Sequence, residues 1–205
     1  MFFFSDLDLK YVDINTLYDH ILYMEKQTGT IKLVPVLRSS LYIAIYNCVE
    51  STIYALLEDI HEKLVYLDKR NLNFKLKKKL DKLNERSLGS SFNYIPKLSI
   101  YLKYNKIFSG NLDHRKIIQI FKSYDIRLKD FPIKIRTSIK TIKDKRNILA
   151  HGSSTFHEAG RHISSKDMKE LIDNSYNLLK EYIFAVNQYL EKEEYTCSST
   201  LEIAI

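Results

Sequence analysis

The stretch LYIAIYNCVESTIYALL, residues 41–57, decides the fold. Setting aside the tyrosine hydroxyls, its only polar members are Asn47, Glu50, Ser51 and Thr52. It lies within a helix predicted from about Val36 to Leu67, opened by Val34-Pro35, with proline tolerated in a first turn. A helix apolar nearly all round must be buried nearly all round. A small protein can do that in two ways: other helices surround it, or one face packs on a second copy of the chain.

The sequence on either side supplies the other helices. Residues from about Lys10 to Gln27 carry Val12, Leu17, Ile21 and Met24 at helical spacing, and Gly29 stops the run. Asn71 to Arg86 is a lysine-rich helix with Phe74, Leu76, Leu80 and Leu83 on its apolar side. Residues 87–91 read as a loop, 98–107 as strand or helix, and Ser109-Gly110-Asn111 as a turn. A short helix follows from Asp113 to Tyr124. Asp130-Phe131-Pro132 opens the next, with Asp130 as its cap, and Gly152 ends it. Ser153 to Ile163 reads as a polar loop. Ser164 to Asp167 has the capping-box pattern and opens a last helix reaching about Glu194. The expected sum is an all-α protein, an antiparallel helical bundle. It forms one domain over residues 1–195, with a basic helical insertion at 71–130 between the second long helix and the Arg146 helix. Residues 196–205 are a loose tail.

With 205 residues the chain can bury a sizeable core. Two cysteines, Cys48 and Cys197, cannot build a disulfide framework. No apolar run approaches the roughly 18 residues of a membrane span. The opening MFFFSDLDLK lacks a basic leader region. The expectation is a soluble protein of the cytoplasm. The net charge of +7 is unevenly spread: Lys63 to Arg146 holds 23 basic and 7 acidic residues. A basic middle suits a polyanion such as nucleic acid, or is an ordinary solvated lysine-rich face.

The chemistry-bearing candidates are Arg146, Asn147 and His151. Asn147 and His151 are one helical turn apart and share a face. His151 falls at a helix C-terminus, where the carbonyl dipoles favour imidazolium, and suits acid–base work. Arg146 offers a fixed fork of donors to phosphate, and Asn147 can orient the imidazole or bind a phosphate oxygen. Such a set suits in-line cleavage of RNA, which carries its own nucleophile and requires no metal. The plainer alternative makes Arg146 a core edge and His151 a helix cap.

Arg146-Asn147, three residues and then His151 resembles the motif of the HEPN superfamily, whose ribonucleases carry Arg and His separated by four to six residues. Three stretches also resemble the MAE-type HEPN proteins. They are Leu37 to Leu41 with Tyr46 to Thr52, then Ser109 to Asp113, then Arg146 to Gly152 with Phe156 and Gly160-Arg161. His114 departs from that pattern, in which a small residue follows the Asp. The resemblance implies a helical bundle and a homodimer whose two motifs face one cleft. It also implies a metal-independent endoribonuclease of toxin–antitoxin or anti-phage defence systems, with an antitoxin or defence partner.

Glu50 is the only charged residue between Arg38 and Glu58. On a buried helix it must be paired, and Arg146 is the expected partner, with Asn47 in support; the alternative is solvent or Arg38. Arg115, Arg161 and His162 are candidate phosphate contacts. No cofactor, metal or membrane is expected: the spacing of His151, His157 and His162 matches no standard zinc site. Two other functions fit the same residues less fully. One is a HEPN-fold module that binds RNA or a nucleotide without cutting; the other is a structural subunit of a larger complex.

Overall fold

Leu33 to Leu64 is one uninterrupted helix in the computed structural model, which describes residues 2–87, 91–108 and 110–197. Residues 88–90 of the expected loop, Ser109 of the expected turn and tail residues 198–205 lie outside the described residues. Among the described residues the helices are α1 (Phe2–Met24), α2 (Leu33–Leu64), α3 (Phe74–Arg86), α4 (Leu98–Tyr104), α5 (His114–Lys122), α6 (Ile133–Ala150), α7 (Phe156–Gly160) and α8 (Ser165–Glu191). A 3-10 turn covers Lys69–Asn71, and the described residues contain no β-strand, only an isolated bridge between Leu72 and Thr196. The protein is all-α, as its periodicity predicts.

The chain forms two compact units. The first holds residues 1–52, 110–114 and 130–180; the second holds 53–109, 115–129 and the chain from Glu181 onward. Most of the expected basic insertion therefore falls in the second unit. In the first unit, Leu7, Ile14 and Ile21 of α1 are buried, as are Leu41, Ile45 and Val49 of α2, Ile139 and Ile142 of α6, and Met168 and Ile172 of α8. Buried hydroxyls join these helices. Tyr11 donates to Ser175 Oγ at 2.8 Å, and Asn174 donates to Ser138 Oγ at 3.0 Å. In the second unit the core gathers Leu56 and Ile60 of α2, Leu76 and Leu80 of α3, Ile117 and Phe121 of α5, and Tyr182 and Val186 of α8. His61 stands fully buried among them. Its Nδ1 meets the Pro96 carbonyl at 2.6 Å, which can only accept, so Nδ1 carries the proton and Nε2 accepts from Tyr124 Oη at 2.6 Å.

Several local expectations are corrected. α1 begins at Phe2 rather than near Lys10 and ends at Met24, where Thr30 Oγ1 donates to the Met24 carbonyl at 2.6 Å. The 98–107 segment resolves as helix α4. Within the expected loop 153–163, Thr155 and Glu158 form a reciprocal capping box that nucleates α7. Asp130 does not cap α6; its carboxylate accepts from the Phe131 N–H, one residue too early, and Pro132 takes the cap position. α2 is not buried all round: Asn47 and Ser51 are exposed, with Ile43 and Glu50 half-buried beside them. By length and composition α2 would pass for a membrane-crossing helix, contrary to the expectation of no such run. Of its most apolar window 56% is buried inside the fold, as in the core helix of a folded protein.

Candidate active site

The site is built at the C-terminal end of α6, within the first unit. Ile139, Ile142 and Leu149 bury one stripe of this helix, and Arg146 rides the edge of it, half-buried. The helix stops in a Schellman turn: the Ser153 N–H donates to the Ile148 carbonyl at 3.0 Å and the Gly152 N–H to the Leu149 carbonyl at 3.2 Å. That turn requires Gly152 at φ +66°, a conformation that costs any residue with a Cβ. It leaves His151 as the cap residue, its N–H on the Asn147 carbonyl at 3.0 Å and its side chain exposed. The cap role and a chemical role for His151 are therefore compatible, because the backbone does the capping.

Arg146 is held by groups that lie far from it in sequence. Its guanidinium carbon sits 4.7 Å from the centroid of the Tyr46 ring on α2, a cation–π contact. Tyr46 is fully buried and its hydroxyl accepts the Leu112 N–H at 3.1 Å. Burial pushes the Tyr46 phenol up from its ordinary value, so it stays neutral. Leu112 belongs to the strap Gly110–Asp113, which packs along the site. Gly110 adopts φ +72°, and a Cβ built there would come within 2.6 Å of Arg146 Nη1. The next residue, Asn111, accepts from Asn147 Nδ2 at 2.9 Å, while Asn147 Oδ1 accepts from Arg146 Nη1 at 3.2 Å. At the end of the strap Asp113 accepts from Lys143 Nζ at 3.2 Å. Against the burial that opposes its charge, Asp144 and Asp113 hold the Lys143 ammonium above the ordinary lysine range. Arg146 and Asn147 thus form one hydrogen-bonded set with the strap. His151 projects one turn beyond them.

The structure does not bring every candidate to this point. Glu50 is half-buried rather than buried, and makes no ion pair or hydrogen bond with Arg146; it stays at the open edge of α2. The support expected from Glu50 comes from Tyr46 instead, because an aromatic face attracts a guanidinium without the cost of burying a carboxylate. Asn47 is exposed and makes no bond to the guanidinium. Arg38, the other partner considered for Glu50, pairs with Glu25 at 2.5 Å. Arg161 lines a cleft of about 700 Å³ with His157, Arg38 and Lys32, whose lining includes neither Arg146 nor His151. His162 is exposed and makes no hydrogen bond to the motif. Arg115 is exposed on α5, in the second unit. His114 is buried beside Phe131, which explains how a larger side chain fits the resembled pattern. Among the described residues no three His, Cys, Asp or Glu side chains gather as a metal site. Burial pushes the Cys48 thiol up to about 11, so it packs as an apolar group.

Tyr46, Gly110 and Asn111 are the site residues that sequence reasoning missed. All three stand in the stretches that carry the family resemblance, and that was the available signal.

Comparison with known proteins matches residues 6–192 to the family model described as RiboL-PSP-HEPN. No curated protein and no solved structure matches the chain. The superfamily is the one the Arg146–His151 motif suggests; the matching family within it is a different member from the MAE-type proteins that three stretches resemble. A match over nearly the whole chain, on an all-α fold, makes this protein a member of the RiboL-PSP-HEPN family of the HEPN superfamily.

Proposed function

We propose that the protein is a metal-independent endoribonuclease that acts in the cytoplasm as a toxin or anti-phage defence effector. HEPN proteins include ribonucleases and nucleotide-binding modules, so membership alone admits both. The observation that carries the nuclease reading is the pre-set guanidinium: Arg146 is held by the Tyr46 ring and Asn147, beside a helix end that exposes His151. A fixed cation costs little reorganisation when charge builds on a phosphorane.

In the proposed reaction the RNA 2′-oxygen attacks the adjacent phosphorus and the bond from phosphorus to the 5′-oxygen breaks. One imidazole takes the 2′-hydroxyl proton and one gives a proton to the leaving 5′-oxygen. The products are a 2′,3′-cyclic phosphate and a 5′-hydroxyl. Arg146 neutralises the charge on the phosphoryl oxygens, and Asn147 positions Arg146 and the strap. One chain supplies one such histidine. A homodimer in which two copies pool their motifs supplies both, and the open stripe of α2 through Ile43, Asn47 and Ser51 favours such a partner. An antitoxin or defence partner would restrain the activity.

The test is cleavage of total RNA and tRNA in EDTA by wild type and His151→Ala, with the product ends identified. Cyclic phosphate from wild type alone is the expected result. A folded, dimeric wild type that binds RNA and leaves it intact would overturn this reading in favour of a non-cutting binding module.

A further inference from the structure

The second unit has a cavity of about 390 Å³ between α3, α4 and α5 that the proposed cleavage does not use. Lys75, Lys78, Lys79, Lys82 and Arg86 line it from α3, at spacings that put them on one helix face. Lys106 and Lys116 face them, Tyr101, Ile107 and Ile120 supply apolar wall, and among the described residues no carboxylate lines the space. Like charges at these spacings oppose helix formation, so the helix gains nothing from them by itself. A solvated lysine face explains Lys78 and Lys82, which are exposed.

It does not explain Lys79. This side chain turns inward, its Nζ 3.7 Å from the Tyr124 ring centroid and 5.0 Å from that of Tyr101. It donates to Ser123 Oγ at 2.7 Å, and among the described residues no acidic group forms an ion pair with it. Two acids of this unit are engaged elsewhere: Asp81 with Lys69, and Asp125 with Lys75. Arg86 donates to Asn105 Oδ1 at 2.5 Å, which fixes one wall. A half-buried ammonium set against two aromatic rings without a counterion is costly, and an anion in the cavity would relieve that cost. Burial, with Arg86 adding repulsion, lowers Lys79 to about 7. Across the cavity Lys106 and Lys116 add further positive charge, while the rings beside Lys79, those of Tyr101, Tyr124 and His61, are uncharged near neutrality, since burial raises the two phenols and lowers the imidazole.

We propose that this cavity is a binding site for a phosphate-bearing ligand of nucleotide size, with Lys79 at its floor and Lys78, Lys82 and Arg86 as further phosphate contacts. Its volume falls in the range of small-molecule sites, and the mixed cationic and apolar lining suits a phosphate joined to a less polar body. The phosphate belongs either to a free nucleotide or to an RNA strand. The site shares no residue with the Arg146 set and does not depend on the nuclease reading.

The test is calorimetric titration of the full chain with AMP, ATP, inorganic tripolyphosphate and a short single-stranded RNA. It is run near neutral pH. Lys79→Gln and the double variant Lys78→Gln/Lys82→Gln are compared with wild type, and His151→Ala is the control. Binding that each set weakens tenfold or more and that His151→Ala leaves unchanged is the expected result. Nucleotide binding with that pattern identifies a free nucleotide as the ligand; binding of RNA alone identifies the strand. The double variant changes only exposed side chains, so it decides the matter if Lys79→Gln fails to fold. No binding, or binding within twofold of wild type in the variants, would overturn the proposal.

Discussion

Replacing Gly110 with alanine tests the geometry of the Arg146 site most directly. The new Cβ would stand 2.6 Å from Arg146 Nη1, where an unstrained contact is about 3.5 Å. The guanidinium is the movable partner, so it retreats by about 1 Å, away from its seat on Tyr46 and Asn147. A displacement of that size in a catalytic array costs about 100-fold in rate. Alanine at φ +72° adds a backbone cost of about 1 kcal/mol, which lowers the melting temperature of a chain this long by about 2–4 °C. The two effects separate by assay: RNA cleavage under single-turnover conditions reads the first, and thermal unfolding reads the second. An Arg146→Lys background has no forked head to displace, so there Gly110→Ala should cost stability and little further rate. Cleavage by Gly110→Ala within twofold of wild type, with the melting temperature lowered, would refute the argument that the strap positions Arg146.

Three further outcomes are expected. Tyr46→Phe keeps the ring under Arg146 but leaves the buried Leu112 N–H without its acceptor, so it should destabilise by about 1–3 kcal/mol and retain most activity; Tyr46→Leu should lose cleavage as well, and unfolding titrations beside cleavage rates check both. Burial lowers His61 to about 4 against an ordinary 6.5, so the unfolded chain binds a proton that the folded chain refuses between those values; stability is full above about pH 6.5 and falls by roughly 3 kcal/mol as pH drops toward 4. Urea titrations across that window should show His61→Gln losing this part of the acid sensitivity while other groups keep theirs. A Cβ on Gly160 would lie 1.9 Å from the Pro35 carbonyl oxygen, a backbone clash with no flexible partner, so Gly160→Ala should cost about 3 kcal/mol and melt well below wild type by calorimetry.

The helical character of the chain was legible because burial of one face repeats every three to four residues, and α3, α5, α6 and α8 follow that period closely. Errors gathered where local chemistry competes with periodicity. α7 is only five residues long, too short to show a period, and rests on the Thr155–Glu158 capping box. Asp130 looked like a cap by spacing, yet its carboxylate turns to the neighbouring N–H. Glu50 looked buried because the helix that carries it is apolar nearly all round, yet a helix that is long and apolar can still leave one stripe open. Arg146, Asn147 and His151 were legible because they lie within six residues on one helix end, where spacing alone fixes their neighbourhood.

By itself, then, the sequence determined an all-α chain and the position of its Arg–Asn–His motif, since each is written in local order and periodicity, and the resemblance of that motif pointed to the superfamily. Only the tertiary structure decided that Tyr46 and the Gly110–Asp113 strap, rather than Glu50, support Arg146. It alone turned Lys79 away from its neighbours on α3 and in among Tyr101, Ser123 and Tyr124. Such contacts join residues from separate helices, and helical spacing states which side of a helix is buried without stating what is buried against it.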